Sequence, residues 1–177
     1  MNLGLALLLL FACDGITVNE KSAMFTNGGS SLTAVYENIA CTFNMLEDTA
    51  SLNVYLSTPS EGLDNFNSLH LAAYPGNQGA SNQDFTKGTY RLMIMYSNIG
   101  LYTFALDKNI QLIFDSSIPY AEDLESDKTY ALKGRIRITE DTPLVISGNT
   151  SIDVKILQQD IAFECNASAS TEIPNGF

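Results

Sequence analysis

Short apolar stretches with a period of two recur along most of the chain, separated by turn residues. Between residues 35 and 45 the apolar side chains fall mainly on odd-numbered positions, and residues 52–56 and 69–74 continue in the same way. Residues 130–138 place apolar side chains on one face and basic side chains on the other. This alternation is typical of half-buried β-strands, and no long amphipathic helix is predicted anywhere.

The second half of the chain adds two local signals. Residues 97–100 separate two apolar stretches and predict a hairpin. The alternation of residues 152–156 slips at Gln158 and Gln159 before apolar positions resume, which indicates a bulge or a bend. With roughly nine or ten strands joined by connections of very different length, the sequence predicts an all-β fold, a β-sandwich of Greek-key type. A lipocalin-like barrel is the alternative.

The first twelve residues, MNLGLALLLLFA, have the character of an export signal. Their apolar run, residues 3–12, is too short to cross a bilayer as a helix, which needs about 20 residues, and it matches the core of a secretory signal peptide. Cys13 follows a small residue, as in a bacterial lipobox, so we predict that cleavage leaves an acylated Cys13 at the new N-terminus. No basic residue precedes Lys21. An ordinary cleaved signal and a buried N-terminal strand or helix therefore stay open as alternatives.

The predicted organisation of the 177 residues is a single domain with flanking segments. The signal peptide covers residues 1–12, and residues 13–31 form a lipidated tether or an early edge strand. The β-sandwich domain covers residues 32–165, and residues 166–177 form a flexible polar tail.

The charge balance narrows the range of partners. Nine Lys and Arg stand against 20 Asp and Glu, which gives a formal net charge of −11. Such a chain is a poor ligand for nucleic acids and for anionic lipid surfaces, because both require clustered cations. Its apolar and aromatic content is too high for an acidic disordered chain.

The three cysteines suggest separate roles. If Cys13 is acylated, Cys41 and Cys165 remain as an even pair in an exported chain, and both lie in phase with inward apolar residues. The pattern admits either a disulfide between them or two buried thiols that pack as small hydrophobes.

Few residues are candidates for catalysis or metal binding. His70 is the single histidine and cannot by itself make a typical zinc site, so we expect it to face solvent or to have a structural role. Asp123, Glu125 and Asp127 alternate in the most acidic stretch and are a weak Ca²⁺ candidate, but their spacing does not match an EF-hand. A solvated acidic turn is the favoured interpretation. We name no catalytic residue and no cofactor.

Three stretches of the sequence carry a family resemblance. They are Phe85–Leu92 (FTKGTYRL) with Met95–Asn98 following, Pro119–Ala121 with Tyr130–Gly134 following, and Ile152–Phe163 (IDVKILQQDIAF). The first contains a G-x-Y-x-L strand and the last is similar to a domain-closing strand. Together they resemble fimbrillin-like and pilus-anchor-like surface lipoproteins of Bacteroides-type bacteria, over about residues 10–165.

The resemblance implies a transthyretin-like β-sandwich, lipid-anchored at the outer membrane and exposed at the cell surface. It also implies assembly with other pilus subunits by strand addition, with residues 14–31 and 166–177 as the segments of interest. Members generally have a second β domain, for which this chain is too short, so a one-domain relative, a fragment or an accessory subunit is expected.

The predicted function is therefore structural or adhesive, without catalysis. The alternative is a secreted or surface β-sandwich module that binds carbohydrate or protein, in which tyrosines such as Tyr55, Tyr74 and Tyr102 stack on sugars. An enzyme would need a cleft that gathers His70 or paired acids, and few such residues exist.

Overall fold

A computed structural model describes residues 18–46, 49–58, 66–76, 84–96, 99–103, 109–146 and 151–171. Within these ranges the chain forms thirteen strands and one short 3-10 turn, Ala121–Asp123. In chain order the strands are β1 (Val18–Glu20), β2 (Ser22–Asn27), β3 (Ser30–Val35), β4 (Asn38–Leu46), β5 (Thr49–Ser57), β6 (Phe66–Tyr74), β7 (Thr89–Tyr96), β8 (Ile99–Thr103), β9 (Ile110–Phe114), β10 (Thr129–Ile138), β11 (Thr142–Ile146), β12 (Ser151–Ile156) and β13 (Gln159–Ser170).

The strands are linked by one hydrogen-bonded path in the order β3-β2-β12-β11-β8-β7-β6-β5-β4-β13-β10-β9, and β1 pairs with β13. The path folds into two sheets, one of which is nearly closed like a barrel. A sheet this long cannot stay open and flat, because the twist of successive strands curls it. One hydrophobic core results, and strands from both ends of the path contribute to it, including Phe25, Leu52, Ile110 and Phe163.

The alternation in the sequence sets which side chains enter this core. In β5, Leu52, Val54 and Leu56 are fully buried, whereas the intervening side chains lie on the opposite face. In β10, Leu132 and Ile136 are buried in the same way. The all-β prediction is confirmed, and both the preferred sandwich and its barrel alternative describe part of the architecture.

The last strand, β13, pairs with three other strands. It pairs along its length with β10 in antiparallel fashion, from Thr129↔Ser168 to Ile138↔Gln159. On its other edge it pairs in parallel with β1 near its start and with β4 near its end. The change of phase predicted at Gln158–Gln159 is confirmed as the break between β12 and β13.

Strands extend into two segments that the sequence placed outside the sandwich domain. Residues 18–31, expected in a tether or an early edge strand, form β1, β2 and the start of β3, and Phe25 is completely buried. Residues 166–170, expected in the tail, belong to β13, where Ala167 and Ala169 are buried against neighbouring strands. Residues 13–17 and 172–177 lie outside the described residues.

In the part of the chain that the structure describes, no helix is both long and apolar enough to span a membrane.

Candidate strand-binding groove

One end of the strand path, β9, has an unpaired edge. β9 pairs with β10 from Ile138↔Ile110 to Gly134↔Phe114. At the two ends of this ladder, Thr139 N–H donates to Asn109 O and Asp115 N–H donates to Lys133 O, both at 2.9 Å. Because hydrogen bonding alternates along an antiparallel strand, odd-numbered residues of β9 bond to β10 and even-numbered residues point their N–H and C=O away. No strand among the described residues pairs with that outer edge.

A groove of about 650 Å³ runs along this edge. One side is formed by residues 110–113 of β9, and the other side by Pro75, Gly76 and residues 86–90. The side chains of Ile110 and Leu112 already point into the core and are buried, so the groove presents mainly their backbone. An unpaired strand edge in a groove is suited to an extended peptide, which bonds through its main chain.

The opposite side of the groove is a tight turn with its own hydrogen bonds. Thr86 donates to Asp84 Oδ1 from its backbone N–H (2.8 Å) and from its hydroxyl (2.7 Å), and Lys87 Nζ lies 3.2 Å from Asp84 Oδ2. Burial opposes ionisation of Asp84, but the hydrogen bonds from Thr86 and Lys87 outweigh it and keep the pKa of Asp84 below its usual value. The turn is therefore fixed before any ligand binds.

The G-x-Y-x-L residues build this same side. A Cβ on Gly88 would lie 1.6 Å from the carbonyl oxygen of Tyr74, so only glycine allows the chain to pass here. Tyr90 packs inward, and its hydroxyl donates to the backbone oxygen of Phe85 at 3.2 Å. Phe85, whose role the sequence did not reveal, is completely buried and contacts the ring of Phe43.

The two sides of the groove differ as pairing partners for a strand. The side of the groove opposite β9 contains only Thr89 and Tyr90 of β7, so an incoming strand would pair mainly with β9.

His70 lies elsewhere, on the outer face of β5 and β6. Its ring stacks on Tyr55 at a centroid distance of 4.1 Å, and its Nε2 lies 3.0 Å from Asn53 Oδ1. Asn53 in turn donates to Ser51 Oγ at 3.2 Å. Burial, together with the charge of Arg91, lowers the pKa of His70 to about 4, so the imidazole is neutral at pH 7.

This cluster has the character of a cross-strand structural pair. His70 lies opposite Tyr55 in the pairing of β6 with β5, and its imidazole covers one face of the Tyr55 ring. Stacking of a sugar on Tyr55 is restricted to its remaining surface. Tyr74 is exposed, and the side chain of Tyr102 lies outside the described residues.

A charged cluster that the sequence did not reveal lies on the outer face of β10 and β13. Asp160 is almost completely buried, and Arg137 donates to both its carboxylate oxygens at 2.8 Å. Arg135 is 3.9 Å from the same carboxylate and 3.1 Å from Asp115. The alternation of residues 130–138 correctly placed the basic side chains away from the core, but it carried no sign of their shared acidic partner.

The cysteine pair is resolved by the structure. Cys41 and Cys165 form a disulfide with a Cα–Cα distance of 6.0 Å, which joins β4 to β13 and excludes the alternative of two buried thiols. Cys13, the predicted acylation site, lies outside the described residues.

The three carboxylates of the weak Ca²⁺ candidate do not come together in the described residues. Asp123 lies in the 3-10 turn, Glu125 forms an ion pair with Lys128, and Asp127 adopts a left-handed backbone conformation. Among the described residues, no three His, Cys, Asp or Glu side chains come together as metal ligands would. The acidic stretch contains the 3-10 turn Ala121–Asp123, and Glu122, Asp123, Glu125 and Asp127 are exposed.

Comparison with known proteins adds no relative: no protein-family model, no curated protein and no solved structure matches the chain. The fimbrillin-like resemblance therefore stays a prediction from the sequence. The groove beside β9 is the feature of the described fold that is suited to binding another polypeptide.

Proposed function

We propose that this protein is a non-catalytic structural or adhesive subunit of the cell surface that accepts an extended strand of another polypeptide beside β9. One observation carries the proposal. The outward N–H and C=O groups of Ile110 and Leu112 have no strand partner among the described residues and border a groove. A strand placed there would satisfy these groups and extend the sheet.

The composition of β9 supports this function. Proteins usually protect an edge strand with charged side chains or proline, because an open edge pairs with other chains. β9 reads IQLIF and contains neither. An unprotected edge in a folded protein is a hazard unless it has a partner, so we infer that this edge is kept open for one.

The incoming strand is assigned to another polypeptide. Residues 18–31 and 166–171, which the resemblance suggested as donor segments, are built into the fold as β1, β2, the start of β3 and the end of β13. Surface location is the second part of the proposal, and it depends on acylation of Cys13. Several acyl chains on one cysteine would hold the subunit in the membrane, because each buried CH₂ contributes about 0.8 kcal/mol.

Strand acceptance is tested by amide hydrogen exchange with a synthetic probe. The probe is a peptide with the sequence of β10 (TYALKGRIRI), which already pairs with β9 in the fold. In the free protein, we expect the Leu112 amide to exchange faster than that of Ile113, which bonds to β10. Adding the probe should protect Leu112. An analogue N-methylated at alternate residues keeps its side chains but loses the donors, and it should give no protection.

Two matched variants locate the binding. Thr89 and Thr129 are exposed residues that begin β7 and β10, and only Thr89 lines the groove. Thr89→Trp should obstruct the groove and abolish protection of Leu112, whereas Thr129→Trp should leave it unchanged. Equal protection by the N-methylated peptide, or no effect of either peptide on Leu112, would exclude strand acceptance at β9.

Surface anchoring is tested separately by intact mass of the membrane fraction from a bacterial expression host. Loss of residues 1–12 with added acyl chains, abolished by Cys13→Ser, supports a surface lipoprotein. An unacylated soluble product would remove that part of the proposal and favour a secreted binding module instead.

A further inference from the structure

The cations of this acidic chain are concentrated on one surface. Lys21, Lys133, Arg135 and Arg137 are four of the nine basic residues in a chain of net charge −11. Lys21 lies between β1 and β2, and the other three lie on the outer face of β10. We call these four residues the basic patch.

Part of the basic patch is neutralised inside the protein. Arg137 is bound in a bidentate pair to the buried carboxylate of Asp160, and this pair is fixed. The pairs Lys133–Glu164 and Arg135–Asp115 are more exposed, with separations of 3.4 and 3.1 Å. Such surface pairs contribute only about 0–1 kcal/mol, so an incoming carboxylate can replace the internal partner at little cost.

Lys21 is the most available cation of the patch. It is exposed, and no ion-pair partner is found for it in the described ranges. It borders a hollow of about 410 Å³ together with Lys133 and Arg135. The carboxylates of Asp115 and Glu164, which pair with Arg135 and Lys133, line the same hollow, so Lys21 is the cation there that an incoming carboxylate can reach without displacing an internal partner.

A complementary surface exists on the same chain. Glu122, Asp123, Glu125 and Asp127 are exposed on the short segment around the 3-10 turn, which we call the acidic turn. The segment is held in place from beneath, because Ala121 and Leu124 are buried and the hydroxyl of Tyr130 accepts a hydrogen bond from the Glu125 N–H. Glu125 pairs with Lys128, but this pair is exposed and can exchange partners at little cost. The backbone that holds the carboxylates is fixed, which limits the entropy lost on binding.

The two surfaces cannot meet within one molecule. The acidic turn ends just before β10 begins, and Lys133, the nearest patch residue along the strand, lies six residues beyond Asp127. At roughly 3.3 Å per residue this is a separation of about 20 Å. Contact between the acidic turn and the basic patch must therefore join different molecules. Because the two surfaces differ, the contact is head-to-tail and can continue from copy to copy.

We propose that the basic patch binds the acidic turn of a second copy of this protein. The contact lies outside the groove beside β9 and does not require a strand to occupy it. Like charge on the two molecules opposes the approach, but at 0.15 M salt the Debye length is about 8 Å, so distant charges are screened and contacting pairs persist. Self-association should therefore be weak at very low salt, strongest near physiological salt and weak again at about 1 M salt.

A charge-swap experiment tests the pairing. The patch variant carries Lys21→Glu and Lys133→Glu, and the turn variant carries Asp123→Lys and Glu125→Lys. Each variant alone would place like charges in contact, and we expect self-association in sedimentation velocity at 0.15 M salt to weaken by at least about tenfold. Mixed together, the two variants present opposite charges at both kinds of contact. Association should then return to within about threefold of wild type.

The control variant carries Arg91→Glu and Lys155→Glu, which change the net charge as much as the patch variant does but lie on β7 and β12. It should associate like wild type. Self-association that survives both charge reversals would overturn the inference and leave strand acceptance at β9 untouched. Absence of self-association in wild type, or failure of the mixed variants to recover, would overturn it as well.

Discussion

The disulfide between Cys41 and Cys165 provides the sharpest test of the fold. It joins β4 to β13 beside their parallel pairing, where Ala167 lies opposite Cys41. We consider the double variant Cys41→Ala with Cys165→Ala, which removes the bond and leaves two small apolar side chains in its place.

The expected loss follows from the length of chain that the bond closes. The two cysteines are 124 residues apart in sequence. Chain-entropy arguments assign a loop of this length a stabilisation of about 5 kcal/mol at 25 °C, near the upper end of measured values. Domains of this kind have a total unfolding free energy of about 5–15 kcal/mol, so the variant should be strongly destabilised or partly unfolded at 25 °C.

Urea unfolding followed by circular dichroism measures this difference. The unfolding free energy of oxidised wild type should be about 3–5 kcal/mol greater than that of the double variant. After reduction, the unfolding free energy of wild type should lie within about 1 kcal/mol of the value for the variant. A difference below about 2 kcal/mol would refute the reasoning, because the bond would then place little constraint on the unfolded chain.

Three further outcomes are expected. For His70, whose pKa is lowered to about 4, the unfolded chain binds a proton more readily, so stability should fall as pH decreases from 6.5 towards 4. Proton NMR measures the pKa of His70, and urea unfolding at several pH values measures the change in stability. Asp160→Asn should cost about 2–3 kcal/mol in urea unfolding, because Arg137 loses its ionic partner but remains partly exposed. Gly134→Ala should cost at least about 2 kcal/mol, since its Cβ would lie 2.3 Å from the carbonyl oxygen of Ile113.

Each of these outcomes has a control. His70→Gln should flatten the pH dependence between 6.5 and 4, and an unchanged slope would assign it to other groups. Glu164→Gln removes only the exposed pair with Lys133 and should cost less than about 1 kcal/mol. Ala131→Ser, at an exposed position of the same strand as Gly134, should be nearly neutral, so an equal loss in both β10 variants would contradict the steric argument.

Alternation of apolar residues was sufficient to find the strands wherever one face is buried against the core. The strands β5, β7 and β10 contain large apolar residues at most of their alternate positions, and the structure buries residues such as Leu52, Leu92 and Ile136. The end of β13 escaped prediction because its inward residues are Ala167 and Ala169. A tail and a strand look alike when the buried side chains are this small, and only the pairing with β4 and β10 distinguishes them.

The charged cluster could not be predicted for a different reason. Alternation places Asp160 on the face opposite Ile161, where solvent exposure is the usual expectation for an acid. Its burial depends on β1, which runs beside β13 with Val18 opposite Asp160, and on Arg137 from β10. Both neighbours are distant in sequence, so a local sequence pattern cannot predict them.

The groove is the least predictable feature. It lies beside the edge of β9 with which no described strand pairs. The sequence identified a G-x-Y-x-L strand that contains Gly88 and Tyr90. It did not show that the start of this strand lies opposite β9. That juxtaposition results from the curl of the sheet, which brings β9 back towards the start of β7.

The pairing of β13 with three other strands has a consequence for how the chain folds. β1 and β4 are synthesised early, yet both pair with a strand near the far end of the sequence. Neither can complete its pairing until residues 159–170 have left the ribosome, and such distant pairings make folding slow. Cys41 likewise cannot form its disulfide until Cys165 has been synthesised. The hairpins from β4 to β8 can form early, because each strand pairs with the next one in sequence, but the complete fold requires the last strand of the chain.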